Sequence, residues 1–177
     1  MDFSQFTFVR LKSDHYFKPF DCGNGDLNEF LTSDSKDFLN HLLAVTYIIE
    51  TEGETVGFFS LLNDKIAVTD LSSNRKWKNL FRDRFPNNKR FRSYPAVKLG
   101  RLGVNNNFQN QGIGKSILDF LKYLFISNNR TGCRYLTVDA YRESLPFYEK
   151  NHFSYLTDSD SDHDTRLMYY DLRQLTN

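Results

Sequence analysis

The chain has 177 residues, with 23 Lys and Arg against 22 Asp and Glu and a formal net charge of +1. That length can bury one core, so the simplest organisation is a single domain over residues 1–177. The charge balance argues against a general nucleic-acid binder, though not against a local basic patch. Cys22 and Cys133 are far apart, and the four His are scattered with no metal-ligand spacing, so no metal is expected and a reduced, cytoplasmic protein fits best. Met1-Asp2-Phe3 opens with no basic region and no apolar run, and no segment approaches membrane-spanning length. Neither a signal peptide nor a membrane partner is expected.

In chain order, FSQFTFVRL from Phe3 to Leu11 is aromatic and β-branched, the composition of a strand. Cys22 to Gly25 is a turn, after which Asn24 or Asp26 can cap a helix whose apolar side is Leu27, Phe30, Leu31, Phe38 and Leu39. Leu42–Glu50 and Thr55–Leu62 are two strands, joined by a hairpin at Glu52-Gly53-Glu54. Residues 63–92 break the pattern and read as an insertion. This is the most basic stretch, with Arg75, Lys76, Lys78, Arg82, Arg84, Lys89, Arg90 and Arg92 interleaved with Trp77, Phe81, Phe85 and Phe91. Trp77, Leu80, Phe81 and Arg84 would share one side of a short helix that Pro86 ends. The stretch is either a docked helix with a solvated basic face or a wall that attracts an acidic or RNA-bearing substrate.

Val97 to Phe125 organises the rest. A strand over Val97–Val104 leads into a polar turn, Asn105–Gln111, with three consecutive Asn. A helix then opens at Gly112-Ile113-Gly114-Lys115-Ser116, with Ile113, Ile117, Leu118, Leu121, Leu124 and Phe125 on one apolar face. Unpaired amides and the helix dipole make such a start an anion site. Glycine at 112 and 114 lets a diphosphate approach the main chain, and Gln109 and Lys115 can add side-chain donors. Two glycines alone would equally serve a tight turn. Neither G-x-G-x-x-G nor the P-loop pattern is present.

Beyond the helix, Thr131-Gly132 is a turn and Cys133–Val138 a strand. Residues 142–150 form a helix whose Pro146 must lie in the first turn. Phe153–Thr157 and Arg166–Tyr170 are the final strands, around an acidic loop, Asp158–Asp164. That loop lacks the glycine and terminal glutamate of a calcium-binding EF-hand and reads as a solvated turn.

The run Gln109-Asn110-Gln111-Gly112-Ile113-Gly114 is Q-x-x-G-x-G, preceded by R-L-x-V and followed by an amphipathic helix. In that setting it resembles the acetyl-CoA signature of the GNAT family of N-acetyltransferases. V-D-A at Val138–Ala140 and F-Y-E-K-N at Phe147–Asn151 lie at family-like positions. The phrase F-x-C-G-x-x-x-L-x-x-F-L from Phe20 to Leu31 is similar to a subgroup that includes toxins acetylating aminoacyl-tRNA. One departure is His152, where relatives commonly have Gly, so a residue with a side chain would stand at φ > 0 or the turn would differ.

The resemblance implies an α/β (α+β) fold: a mixed, mostly antiparallel central sheet of about six to seven strands flanked by helices, with a V-shaped splay between the cofactor strand and the next. It implies acetyl-CoA as co-substrate, with its pantetheine arm on the main chain of Leu102, Gly103 and Val104. The diphosphate would sit on the amides of Gln109, Asn110, Gln111, Gly112, Ile113, Gly114 and Lys115. Tyr148 matches the tyrosine that commonly acts as general acid, or it is a core aromatic. Ser144 would bond the cofactor or cap its helix, and Asp139 would support the site or cap. Arg101 would face away or pair with an acid. A water chain, a backbone carbonyl or Glu50 would assist as base. The acceptor would be the amine of a small molecule, a peptide or an aminoacyl-tRNA, and a homodimer is allowed. The alternatives to an acetyltransferase of an unidentified amine are a toxin-type enzyme on aminoacyl-tRNA and a non-catalytic acetyl-CoA-binding module.

Overall fold

The computed structural model describes residues 6–71, 73–81, 92–127 and 131–176. Seven strands form one sheet: β1 (Thr7–Arg10), β2 (Val45–Glu50), β3 (Thr55–Ala67), β4 (Ser93–Val104), β5 (Tyr135–Tyr141), β6 (Ser154–Tyr155) and β7 (Thr165–Asp171), in the order β1-β2-β3-β4-β5-β7-β6. The helices are α1 (Gly25–Glu29), α2 (Ser35–Asn40), α3 (Asn74–Phe81), α4 (Ile113–Ser127) and α5 (Leu145–Lys150), with a π-helical turn, Phe30–Asp34, between α1 and α2. The sheet is mostly antiparallel. β4 and β5 run parallel, with Ala96, Val97 and Lys98 opposite Tyr135, Leu136 and Thr137. The chain divides into two compact units, residues 1–63 with 99–123 and residues 64–98 with 124–177.

In the first unit, β1 pairs with β2 and β2 with β3, both antiparallel. The expected cap forms: Asn24 Oδ1 accepts from Leu27 N–H at 3.1 Å. Residues 55–61 of β3 are all buried, because both faces of the strand are covered. Phe58 enters a cluster with Leu11, Phe30, Leu31 and Ile48, against which Phe20, Leu27 and Phe38 pack. Phe59, on the opposite face, stacks on Tyr47 (5.1 Å) and meets Phe120 of α4 (6.3 Å). Asn63-Asp64-Lys65 reads as a break, yet β3 continues to Ala67. Its polar residues keep the period of two, and Ile66 returns to the core.

In the second unit, β5 pairs with β7 along seven residues, and β7 with β6 along two. Arg134 grips Asp171 through two bonds of 3.0 and 3.3 Å, the geometry of a bidentate pair. Trp77 of α3 packs on Tyr94 at 5.5 Å, beside Ile66, Leu71 and Tyr135. So α3 is docked by its indole, while Arg75 and Lys78 are exposed and Lys76 reaches Asp158 at 2.6 Å. The side chains of Leu80 and Phe81, and all of Arg82, Arg84, Phe85, Pro86, Lys89, Arg90 and Phe91, lie outside the described residues. The acidic loop is tied down: Asp160 accepts from Arg166 Nε and Leu167 N–H, each at 2.7 Å.

Candidate active site

The amide-lined turn belongs to the first unit. β4 ends at Val104, a 3-10 turn covers Asn106–Phe108, and α4 starts at Ile113. The first backbone bond of α4 runs from Ser116 N–H to Gly112 O at 3.0 Å. Among the described residues no protein acceptor takes the amides of residues 110–115. Asn110 and Gly112 have φ of 59° and 82°. Alternating left-handed residues turn successive N–H groups toward one concavity, an anion nest. A Cβ placed on Gly112 would meet nothing within 4 Å, so the space beside that residue is open. Amides without acceptors, a helix N-terminus and that open space fit a diphosphate.

The side chains around the nest are occupied differently from the expectation. Gln109 Nε2 points back to Cys22 O, Val104 O and Asn106 Oδ1, each at 3.0 Å, so it braces the loop. Gln111 Nε2 donates to Asn107 O at 2.9 Å, and Lys115 Nζ pairs with Asp119 one turn on. Ile113 is buried in the core.

Each of the three consecutive Asn has its own task, which residue type alone did not disclose. Buried Asn105 donates to Thr55 O (2.9 Å) and Glu54 Oε2 (3.3 Å), and Asn107 Nδ2 also reaches Glu54 Oε2 (2.9 Å). Asn106 gives its N–H to Asp21 O at 2.8 Å. The nest is thereby held from one side by the β2–β3 hairpin and from the other by the turn at Asp21-Cys22.

On β4, Leu102 and Val104 are half-buried and Gly103 is buried. A Cβ on Gly103 would stand 2.7 Å from Phe58 and 3.1 Å from Phe20, so two core rings require glycine there. Arg101 lies over the Phe30 ring at 5.1 Å. Glu50 is buried, 3.3 Å from Lys18 Nζ and 3.2 Å from His15 Nε2.

The second unit carries Tyr148, Ser144 and Asp139. The Tyr148 ring is buried between Phe147 (5.1 Å) and Phe153 (5.4 Å). Among the described residues no protein group bonds its hydroxyl. Burial pushes that hydroxyl well above the usual phenol range, which keeps the proton on. Ser144 is half-buried, ends the 3-10 turn Arg142–Ser144 and precedes α5, and its side chain makes no capping bond. Pro146 is the second residue of α5, where its missing N–H costs nothing. Asp139 pairs with Lys98.

His152 has φ of 66°. Its N–H donates to Glu149 O (2.9 Å) and that of Phe153 to Tyr148 O (3.0 Å), a Schellman ending with histidine in the place that favours glycine. Burial raises the Cys22 thiol and pushes that of Cys133 up to about 11, so neither is disposed to act as a thiolate. Among the described residues no group of three or more His, Cys, Asp or Glu could hold a metal, and no helix is long and apolar enough to cross a membrane.

A family profile described as "Acetyltransferase (GNAT) domain" matches residues 43–155, more than half of the chain. The chain belongs to the GNAT acetyltransferase family and is an acyltransferase. Among solved structures it is similar to a tyrosine-to-phenylalanine mutant of KacT, with 22% identity, 98% of each chain covered and a TM-score of 0.77. It is similar to AtaT complexed with acetyl-methionyl-tRNAfMet, with 21% identity, 97% of each chain covered and a TM-score of 0.76. AtaTR bound with AcCoA matches at 21% identity over 97% of this chain and 96% of that one, with a TM-score of 0.76. At these identities the likeness is one of fold. No curated protein matches the chain.

Proposed function

We propose that the protein transfers the acetyl group of acetyl-CoA to a primary amine by direct attack. The observation that carries this is the nest at residues 110–115, amides without a protein acceptor, in a chain of the GNAT family. Acetyl-CoA, when bound, supplies the activated acetyl group and the leaving thiolate. The amides from Asn110 to Lys115 would take the charge of the diphosphate, as a helix N-terminus does. Lys115 would share its ammonium between Asp119 and the phosphates. The main chain of Leu102, Gly103 and Val104 would pair with the pantetheine arm, and Ser144 would bond the cofactor. A strand N–H would steady the oxyanion.

Tyr148 would donate a hydrogen bond to the departing sulfur. A phenol above its reference pKa of about 10 is a weaker acid than a thiol near 8.5, so full transfer runs uphill by at least about 2 kcal/mol. Hydrogen-bond stabilisation of the thiolate is therefore its main contribution, and the proton shed by the attacking amine restores the balance. Tyrosine-to-phenylalanine mutants of KacT and AtaT are among the similar structures, which is in keeping with a tyrosine hydroxyl of interest in such folds.

Titration calorimetry with acetyl-CoA should show one saturable site, and no heat at millimolar ligand would remove the assignment. Thiol release across peptides, polyamines and charged tRNA should identify the acceptor. A narrower substrate, aminoacyl-tRNA, is favoured by the Phe20–Leu31 phrase and by the full-length likeness to a structure of AtaT with acetyl-methionyl-tRNAfMet. On that reading, translation stops when the protein is induced, and the charged tRNA in the panel releases thiol fastest.

A further inference from the structure

The Phe20–Leu31 phrase has no part in the chemistry above, yet it touches the nest. Asp21 O accepts from Asn106 N–H at 2.8 Å, and Cys22 O accepts from Gln109 Nε2 at 3.0 Å. These two carbonyls thus hold both ends of the turn that leads into the diphosphate site. One side chain sets them. Asn28, half-buried on α1, donates through Nδ2 to Asp21 Oδ1 at 2.8 Å. Its Oδ1 accepts from Cys22 N–H at 3.0 Å and from the Cys22 thiol at 3.2 Å. Asp21 Oδ1 also takes Gly23 N–H at 2.8 Å, and these two donors hold its carboxyl below the usual range. Gly23 stands at φ 80°, and a Cβ there would come 3.2 Å from Asn106 Oδ1. The turn is shaped to lie against residue 106.

We propose that Asn28 is a positioning residue for the coenzyme: through the Asp21 and Cys22 carbonyls it fixes Asn106 and Gln109, and hence the direction of the nest amides. The proposal rests on the diphosphate reading of residues 110–115. A nest works because its donors are placed before the anion arrives, so a loosened turn loses affinity without losing a contact. The effect is confined to ligands that carry the diphosphate.

The test is the affinity of the full chain for coenzyme A and for pantetheine, which lacks the diphosphate, followed by NMR titration. Asn28→Ala removes all three bonds. Asn28→Asp keeps the size and the acceptor for Cys22 N–H but cannot donate to Asp21, and it serves if the alanine variant does not fold. Both variants should weaken coenzyme A on the order of tenfold, as second-layer changes do, and leave pantetheine unchanged. A purely stabilising role would lower the melting temperature and the bound fraction at saturation but not the affinity of the folded protein. Equal coenzyme A affinity in the variants overturns the proposal alone, and so does equal weakening of both ligands. If the wild-type chain binds no coenzyme A, the diphosphate reading falls and this proposal with it.

Discussion

Asn110 and His152 are residues with side chains that stand in the left-handed region. Asn110 at φ 59° is of a residue type that visits this region more readily than most. His152 at φ 66° occupies the glycine place of a Schellman ending. A β-carbon there costs about 1 kcal/mol, partly offset by the larger chain entropy that glycine gives up on folding. His152→Gly should raise the melting temperature by about 2 °C, read by calorimetry. Acetyl-CoA affinity should not change, because the substitution leaves the Tyr148 ring and the bonds from residues 152 and 153 in place.

At the scale of one element, the start of α4 is where the proposed coenzyme site concentrates. Gly112 has φ of 82° with open space where a Cβ would go. Gly112→Ala therefore meets no clash but must hold a left-handed alanine, at about 1 kcal/mol. A coenzyme packed against this main chain would meet the new methyl. Its effect on ligand affinity should exceed its effect on folding: at least about tenfold for acetyl-CoA, against a drop of roughly 2–4 °C in melting temperature. Gly53→Ala is the control, since it has open space and no positive φ, and both readouts should stay near the wild type. Equal affinity in wild type and Gly112→Ala would show that the coenzyme does not pack against this main chain.

The same element shows what the residues disclosed. The strand, turn and helix from Val97 to Phe125 were legible because alternation, glycine placement and a helical apolar face agree over the whole stretch. The strained His152 was legible because a motif expects glycine there. The second halves of the turn's contacts were not. That Gln109 faces Cys22 rather than a ligand, or that Glu54 holds two asparagines, depends on segments dozens of residues apart in sequence. The extension of β3 through Asn63-Asp64-Lys65 was hidden because polar residues on an exposed strand face look like the end of a strand.

For the whole molecule, the nest and Tyr148 belong to different compact units, so their contributions should separate in kinetics. On the proposed reading, Gly112 acts on how tightly the coenzyme is held. On the same reading, Tyr148 acts on how easily sulfur leaves. Tyr148→Phe keeps the packing against Phe147 and Phe153 and removes only a hydroxyl that no described protein group uses. It should lower kcat on the order of a hundredfold, the usual worth of one hydrogen-bond donor aimed at developing charge, and leave the acetyl-CoA Kd unchanged. The pH profile carries an independent sign. The attacking amine must be unprotonated, so rate rises with pH through the amine's pKa, near 8 for an α-amine. Burial raises the Tyr148 pKa, so the phenol keeps its proton as pH passes the reference value of about 10 and cannot produce a falling limb below that point. Wild type and Tyr148→Phe should therefore share one rising limb and differ by a constant factor from pH 6 to about 9.5. A wild-type profile that falls between pH 8 and about 9.5 while that of Tyr148→Phe stays level would mean that the phenol ionises in the working range, and the donor assignment would not stand.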